Sequence, residues 1–323
     1  MEIISQRLIR DVNTEGGQIH MSAVAAIEIA CWDIIGKATN QPLYNLWGGR
    51  CHEKLRAYAN GWYRGPRTPE SFARNAKKVI ERGYTALKGD PFKHQGLFTS
   101  PQSQRNALKI VAAVRDFVGD DVELLIEVHG RLTPSEAIRF GNAMEQYRPF
   151  FYEEPVPPQN VDAMLKVAQA INVPLATGER IYTKWGFKEL LEKQVVSVVQ
   201  PDIGHAGGLS ELKKIAAMAE TYYVGIAPHN PYGPINTMAA LHLDACTPNF
   251  LIQEGGSADW YDDILTGHFP TQSGGYFDLP KGPGLGIAID EDKLLSMPAK
   301  PIDVSGDYRH QYVYPSRQGH HWI

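Results

Sequence analysis

Three apolar runs of the chain end in glutamate, and successive glutamates stand 26 residues apart: Leu124-Leu125-Ile126-Glu127, Phe150-Phe151-Tyr152-Glu153 and Pro174-Leu175-Ala176-Thr177-Gly178-Glu179. That spacing is roughly one strand-plus-helix unit. A continuous apolar run of this kind reads as a strand buried on both faces, as in a parallel sheet covered by helices. Acids repeated at the ends of consecutive strands collect at the carboxyl end of such a sheet or barrel, where ligand and catalytic groups gather. Three convergent carboxylates repel one another unless a cation lies between them. The pattern therefore points to a hard divalent metal with oxygen ligands.

The same rhythm runs through most of the chain. Strands are predicted at 55–62, 85–88, 122–128, 149–152, 173–177, 195–200, 224–227 and 250–253. Helices are predicted at 71–82, 104–117, 134–146, 160–171, 187–193, 209–222 and 235–246. Eight strands, the first seven each followed by a helix, make an α/β protein whose most economical form is a closed TIM-type (β/α) barrel. An open doubly wound sheet is the competing architecture, but no G-x-G-x-x-G turn follows the first strand. Ahead of the barrel, residues 1–20 hold a short apolar stretch and an Asn13-Thr14-Glu15-Gly16-Gly17 turn. Ser22 is the expected cap of a helix running to Gly36, and 42–49 forms a second short helix ending on glycine. After Glu254 the chain turns rich in Gly, Pro and Tyr and loses periodicity, as expected of a tail wrapping over the barrel or the amino-terminal helices.

Composition narrows the function classes. The 323 residues are 43% hydrophobic and 21% charged, with a formal net charge of −4 spread along the chain. No basic block or basic-aromatic stripe argues for nucleic acid. No apolar run is expected to span a membrane, and no signal-peptide pattern opens the chain. Cys31, Cys51 and Cys246 are scattered and odd in number, which favours a reducing compartment over a disulfide framework. The expectation is a cytoplasmic protein without nucleic-acid or membrane partners.

From the second strand onward, every strand ends near an ionisable group. In order they are Lys88-Gly89-Asp90, Glu127-Val128-His129-Gly130-Arg131, Glu153-Glu154-Pro155, Gly178-Glu179-Arg180, Gln200-Pro201-Asp202, Pro228-His229-Asn230 and Gln253-Glu254. A purely structural barrel needs none of them. Asp202 and His229 end neighbouring strands. A carboxylate on one imidazole nitrogen fixes the tautomer and raises the basicity of the other, which suits a general base. His129 lies two residues past Glu127 and by strand alternation points to the same side. Glu154 should face away from Glu153. Arg131 and Arg180 either balance the acids or bind substrate hydroxyls.

These motifs, in this order and at this spacing, together with His205-Ala206-Gly207-Gly208, resemble the enolase superfamily in its mandelate racemase/muconate lactonizing branch. Within it they are most similar to the galactonate dehydratase-like acid-sugar dehydratases. The resemblance implies that Glu127, Glu153 and Glu179 hold one Mg²⁺, that His229 paired with Asp202 is the base, and that His129 is the general acid for the departing hydroxyl. It also implies that Glu254 hydrogen-bonds the substrate carboxylate as charge develops there, giving a 2-keto-3-deoxy acid as product. Lys88 is expected either to touch the substrate carboxylate or to pair with Asp90. His129 could alternatively be a mere partner of Glu127.

The chain also departs from its likeness. Racemases carry two lysines, one residue apart, at the second strand end, whereas this chain reads Lys88-Gly89-Asp90. One face of the substrate thus lacks a base, favouring a lyase over a racemase. The family has a strand-rich capping region before the helix near Ala23, and a truncated version is expected here. The domain reading is a helical remnant of the cap at 1–50, the barrel at 51–280 and a tail at 281–323. An isomerase of the same superfamily, or a non-catalytic metal-binding barrel, stands as the alternative function. A homo-oligomer acting on a small sugar acid is the expected assembly.

Overall fold

Residues 1–10, 16–92, 98–255 and 261–297 are described by the computed structural model. The chain opens with helices α1 (Glu2–Arg10), α2 (Gln18–Ala38) and the single turn α3 (Leu43–Leu46). Residues 11–15, which include most of the expected polar turn, lie outside the described residues. Ser22 does not cap α2, which begins four residues earlier behind Gly17. Its hydroxyl donates to the Gln18 carbonyl at 2.7 Å and lies 2.6 Å from Nδ1 of His205. By length and composition α2 is apolar enough to cross a membrane, which corrects the expectation that no such run exists. Its apolar residues are spread round the helix: Met21, Val24, Ala25 and Ile29 are buried, while Ile19, Ile27 and Ile34 are exposed. The core helix of a soluble protein passes the same test.

The barrel then follows in strict alternation: β1 (Lys54–Ala59), α4 (Pro69–Glu81), β2 (Ala86–Gly89), α5 (Pro101–Val118), β3 (Glu123–Glu127), α6 (Pro134–Met144), β4 (Phe151–Glu153) and α7 (Val161–Ala168). It continues with β5 (Leu175–Thr177), α8 (Thr183–Glu192), β6 (Val198–Val199), α9 (Leu209–Glu220), β7 (Gly225–Ile226), α10 (Pro234–Ala245) and β8 (Gln253–Gly255). Consecutive strands pair in parallel from β1 to β7, and β8 pairs in parallel with β1. A bridge between Ile226 and Phe250 links β7 to the approach of β8 and closes the ring. The expected barrel is borne out. Helices α4, α5 and α6 start two to three residues earlier than periodicity implies, or at the expected place, because Thr68, Ser100 and Thr133 cap them and a proline follows each cap. Caps and proline belong to the helix start but carry no apolar period.

Two layers of core hold the ring. Between strands and helices lie Val79, Ile110, Phe140, Val167, Leu190 and Leu212, among others. Inside the ring, one residue from each strand or its immediate end forms a plug: Tyr58, Ala86, Leu125, Phe151, Ala176, Val198, Ala227 and Ile252. Large and small side chains share that layer, and the rings of Tyr58 and Phe151 meet edge to face with centroids 6.5 Å apart. Such interdigitation is how a barrel interior becomes a floor and not a channel.

The stretch after β8 is more ordered than its lack of periodicity suggests. Helix α11 (Tyr261–Ile264), strands β9 (Leu265–Gly267), β10 (Gln272–Ser273), β11 (Tyr276–Asp278) and β12 (Ile287–Ile289), and helix α12 (Glu291–Ser296) follow in order. β10 and β11 form a hairpin that adds antiparallel to β1, and β12 pairs with β9. Gly284 bridges Pro42, and the Leu285 amide donates to Asp33 of α2 at 2.8 Å. The segment therefore touches both barrel and amino-terminal helices. Strands of two or three residues are too short to show a period of two. Of the tail expected at 281–323, residues 298–323 lie outside the described residues.

Candidate active site

The plug layer dictates what stands above it. Side chains alternate along a strand, so the residue two positions after each plug residue faces the same interior, one layer nearer the carboxyl end. Counting two onward gives Asn60, Lys88, Glu127, Glu153, Gly178, Gln200, His229 and Glu254. Seven of the eight are polar, and those on β2, β3, β4 and β8 are buried. At β5 the layer position is Gly178, with φ of 150° and a hypothetical Cβ 2.7 Å from the Gln200 backbone. No side chain fits there, and the acid comes from the next residue, Glu179.

Glu127, Glu153 and Glu179 each offer a carboxylate oxygen, and these atoms lie within 4.8 Å of one another. Oε1 of Glu127 accepts from the amides of Val128 (2.8 Å) and His129, while Oε2 is buried without a hydrogen-bond partner. Oε1 of Glu153 accepts from Lys88 Nζ at 2.9 Å, while its Oε2 is likewise orphaned. An all-oxygen set with two buried, unpaired carboxylate oxygens fits a hard divalent cation such as Mg²⁺. Electrostatics agree. Burial and the neighbouring Glu153 push Glu127 well above the ordinary carboxylate range. Burial is the largest influence on Glu153 and opposes its ionisation, but the Lys88 cation and hydrogen bonds from the neighbouring side chains together pull that carboxyl down to about 2. Lys88 thus relieves Glu153 most directly, while Glu127, 3.6 Å from the same ammonium, keeps a buried oxygen without a hydrogen bond.

Lys88 does not pair with Asp90. Its ammonium sits among Glu153, Glu254 at 3.4 Å and Glu127 at 3.6 Å, above the Tyr58 ring. Burial works against that charge, yet Glu153 and Glu254 raise Lys88 well above its ordinary value. Glu254 is held on both oxygens: Oε1 accepts from the Asn60 amide and Oε2 from the Asn230 backbone amide at 2.7 Å.

His229 meets Asp202 through Nδ1 at 2.6 Å, and its Nε2 lies 3.3 Å from Glu179. Burial disfavours the imidazolium, but the Asp202 hydrogen bond and the charges of Glu254 and Glu179 carry the ring up to about 9. The pair is continuous with the sheet, since Asp202 and His229 form a parallel bridge just beyond β6 and β7. Tyr232 packs edgewise on His229 and joins His205, which in turn reaches Ser22.

His129 reaches the site by a different route from the expected one. Its φ of 54° breaks the strand alternation after Glu127, so a turn and not the pleat sets its direction. Nδ1 stands 3.1 Å from Oδ2 of Asp90 and 3.7 Å from Glu127, and 46% of the side chain is exposed. Asp90 also takes the Arg131 guanidinium, whose Nε donates to the Val128 carbonyl at 2.7 Å. Arg180 pairs with Glu154 and lies 3.8 Å from Glu179. Glu154 faces away from the trio towards Thr177 and Arg180; burial and the Glu179 charge push it up to about 7. Both arginines are thus engaged with carboxylates. Asn60 carries no charge at its strand end, so a search for ionisable groups passes over it. Counting two onward from an interior Tyr58 finds it.

The profile of the family described as enolase C-terminal domain-like matches residues 71–293, and that of the mandelate racemase/muconate lactonizing enzyme N-terminal domain matches residues 4–48. The chain belongs to the enolase superfamily, in its mandelate racemase/muconate lactonizing branch. This enolase-superfamily chain is 40% identical over 277 residues to a D-gluconate/D-galactonate dehydratase of Picrophilus torridus, covering 85% of itself and 70% of that protein. It is 37% identical to a D-gluconate dehydratase of Thermoproteus tenax, of which it spans 57%, and 37% identical to a D-galactonate dehydratase of Cronobacter sakazakii, of which it spans 75%. Among solved structures, a mandelate racemase/muconate lactonizing enzyme from Sulfitobacter sp. superposes with a TM-score of 0.87 at 37% identity, covering 93% of this chain and 78% of that one. A member of the enolase superfamily from Salmonella Typhimurium gives 0.87 at 34% identity, covering 92% and 82%.

Proposed function

We propose that the protein is a Mg²⁺-dependent dehydratase of an acid sugar, gluconate or galactonate, releasing water to give a 2-keto-3-deoxy acid. The observation that carries this reading is that two imidazoles stand just beyond β3 and β7, opposite strands of an eight-stranded ring, with the carboxylate trio at the carboxyl ends of β3, β4 and β5. One base and one separate acid are what a dehydration needs. When bound by Glu127, Glu153 and Glu179, Mg²⁺ supplies Lewis-acid polarisation of the substrate carboxylate, acidifying the adjacent C–H bond.

The chain's own groups do the rest. Nε2 of His229 takes the C2 proton while Asp202 holds Nδ1 and steadies the imidazolium that forms. Glu254, fixed by Asn60 and Asn230 and set beside Lys88, lies where negative charge develops on the carboxylate. His129 gives a proton to the C3 hydroxyl, which leaves as water, and the resulting enol ketonises. Lys88 binds the substrate carboxylate from within the cluster, and Arg131 and Arg180 border the substrate with their carboxylate partners. The same proposal includes a homo-oligomer in the cytoplasm. It rests on the exposed isoleucines of α2 and three free cysteines.

A screen of mono- and diacid sugars with Mg²⁺, read as 2-keto acid by semicarbazide absorbance, tests the reaction. The expected result is a product signal that EDTA abolishes. An isomeric product with no new 2-keto group, seen by NMR in deuterium oxide, would replace the dehydratase with an isomerase.

A further inference from the structure

Asp90 stands where a second lysine would serve a racemase, and the structure gives it a partner. Its Oδ2 lies 3.1 Å from Nδ1 of His129 and also takes the Arg131 guanidinium. Its Oδ1 accepts the Phe92 amide at 2.9 Å, and its backbone carbonyl accepts from Arg67. The carboxylate is buried and fixed from three directions, whereas the imidazole it touches is nearly half exposed. Among the described residues the other acceptor near Nδ1 is Oε1 of Glu127, farther away at 3.7 Å and already taking two backbone amides.

We propose that Asp90 is the positioning residue of the general acid: its carboxylate holds the Nδ1 proton of His129, so that the imidazolium gives its Nε2 proton to the departing hydroxyl and is left as the neutral Nδ1–H ring. An ionised carboxylate only accepts hydrogen bonds, so the contact requires N–H at Nδ1. The arrangement repeats that across the barrel. Asp202 ends β6 and orients the His of β7; Asp90 ends β2 and orients the His after β3. Each histidine takes its aspartate from the preceding strand, one pair for proton removal and one for proton delivery. The inference rests on the dehydratase reading, and it explains why the second strand end bears an acid.

Two measurements on the Mg²⁺-loaded enzyme test it. In Asp90→Asn, dehydration kcat should fall about 100-fold or more with KM nearly unchanged. Meanwhile the exchange of the substrate's C2 hydrogen with deuterium oxide, which is the work of His229, should persist. Asp90→Glu should restore part of the dehydration. Parallel loss of exchange and dehydration, or no change in either, overturns the proposal. Independently of any variant at Asp90, ¹⁵N spectra of the histidine-labelled wild-type protein report the neutral tautomer of His129, assigned by its loss in His129→Gln. Nδ1–H is the expected form, and Nε2–H overturns it. If the wild type forms no 2-keto acid from any acid sugar, the dehydratase reading fails, and the ring measurement alone decides whether Asp90 sets the tautomer.

Discussion

His229 and His129 are one side-chain type put to opposite uses by their surroundings. The first is 13% exposed and faces Glu179, while the second is nearly half exposed and reaches the site from a left-handed turn. The roles predict a clean division. His229→Asn should abolish both C2 exchange and dehydration, whereas His129→Asn should retain exchange and lose dehydration by about 100-fold or more. Exchange read by NMR and keto-acid formation read by absorbance separate the two, and full dehydration in His129→Asn would refute the acid role. A third histidine reports on stability. His242 of α10 is fully buried beside Tyr44, and burial pushes its imidazole from the ordinary 6.5 down to about 4. Below pH 6.5 the unfolded chain takes up a proton that the folded chain refuses until about pH 4. Stability is therefore whole above 6.5 and declines by about 3 kcal/mol as pH falls through this window. His242→Leu should flatten the melting temperature between pH 6.5 and 4, and an unchanged acid slope would contradict the prediction. At this scale the sequence shows the charged groups plainly, because strand-end acids in apolar runs stand out. It hides Asn60, which is neutral, and the partner of Asp90, which is 39 positions away in the chain.

Among elements, α9 shows how the amino-terminal helices are tied to the barrel. Its N-cap is Gly208, which lends no side chain, and the cap is supplied from α2 instead. Glu28 accepts from the amides of Leu209 (2.8 Å) and Ser210 (3.0 Å), from the Ser210 hydroxyl and from the Trp32 indole at 2.7 Å. Gly208 is required there, since a Cβ would fall 2.4 Å from the Glu28 carboxylate. Replacing Glu28 by alanine strands these donors in a buried seam and should cost about 2–3 kcal/mol, measured by denaturant unfolding. A loss near zero would mean that the seam hydrates freely. The alternation of strand and helix was legible because each element is amphipathic or apolar over enough residues to show a period. This long-range cap was not, since a glutamate within a helix reads as surface. The short strands after β8 were hidden for want of length.

Over the whole molecule, three acids from consecutive strands meet at one end of the ring with a single lysine among them. A cation that binds only this folded cluster must stabilise the protein. Saturating Mg²⁺ at about 100 times its Kd should add about 3 kcal/mol, a rise in melting temperature on the order of 5 °C. EDTA should reverse the gain and Glu153→Gln should remove it; a shift that survives in the variant would place the ion elsewhere. The pairing of β1 has a further consequence, one of time. Strands β2 to β7 each follow their neighbour by a few dozen residues, so those contacts can form in sequence. Two of the three partners of β1, namely β8 and β11, lie about 200 residues downstream. Long loops must close before those pairings reward the chain. During synthesis at about 5–20 residues per second, β1 therefore waits some tens of seconds with an open edge before the ring can shut. The first strand of the barrel to leave the ribosome is among the last of the ring to be completed.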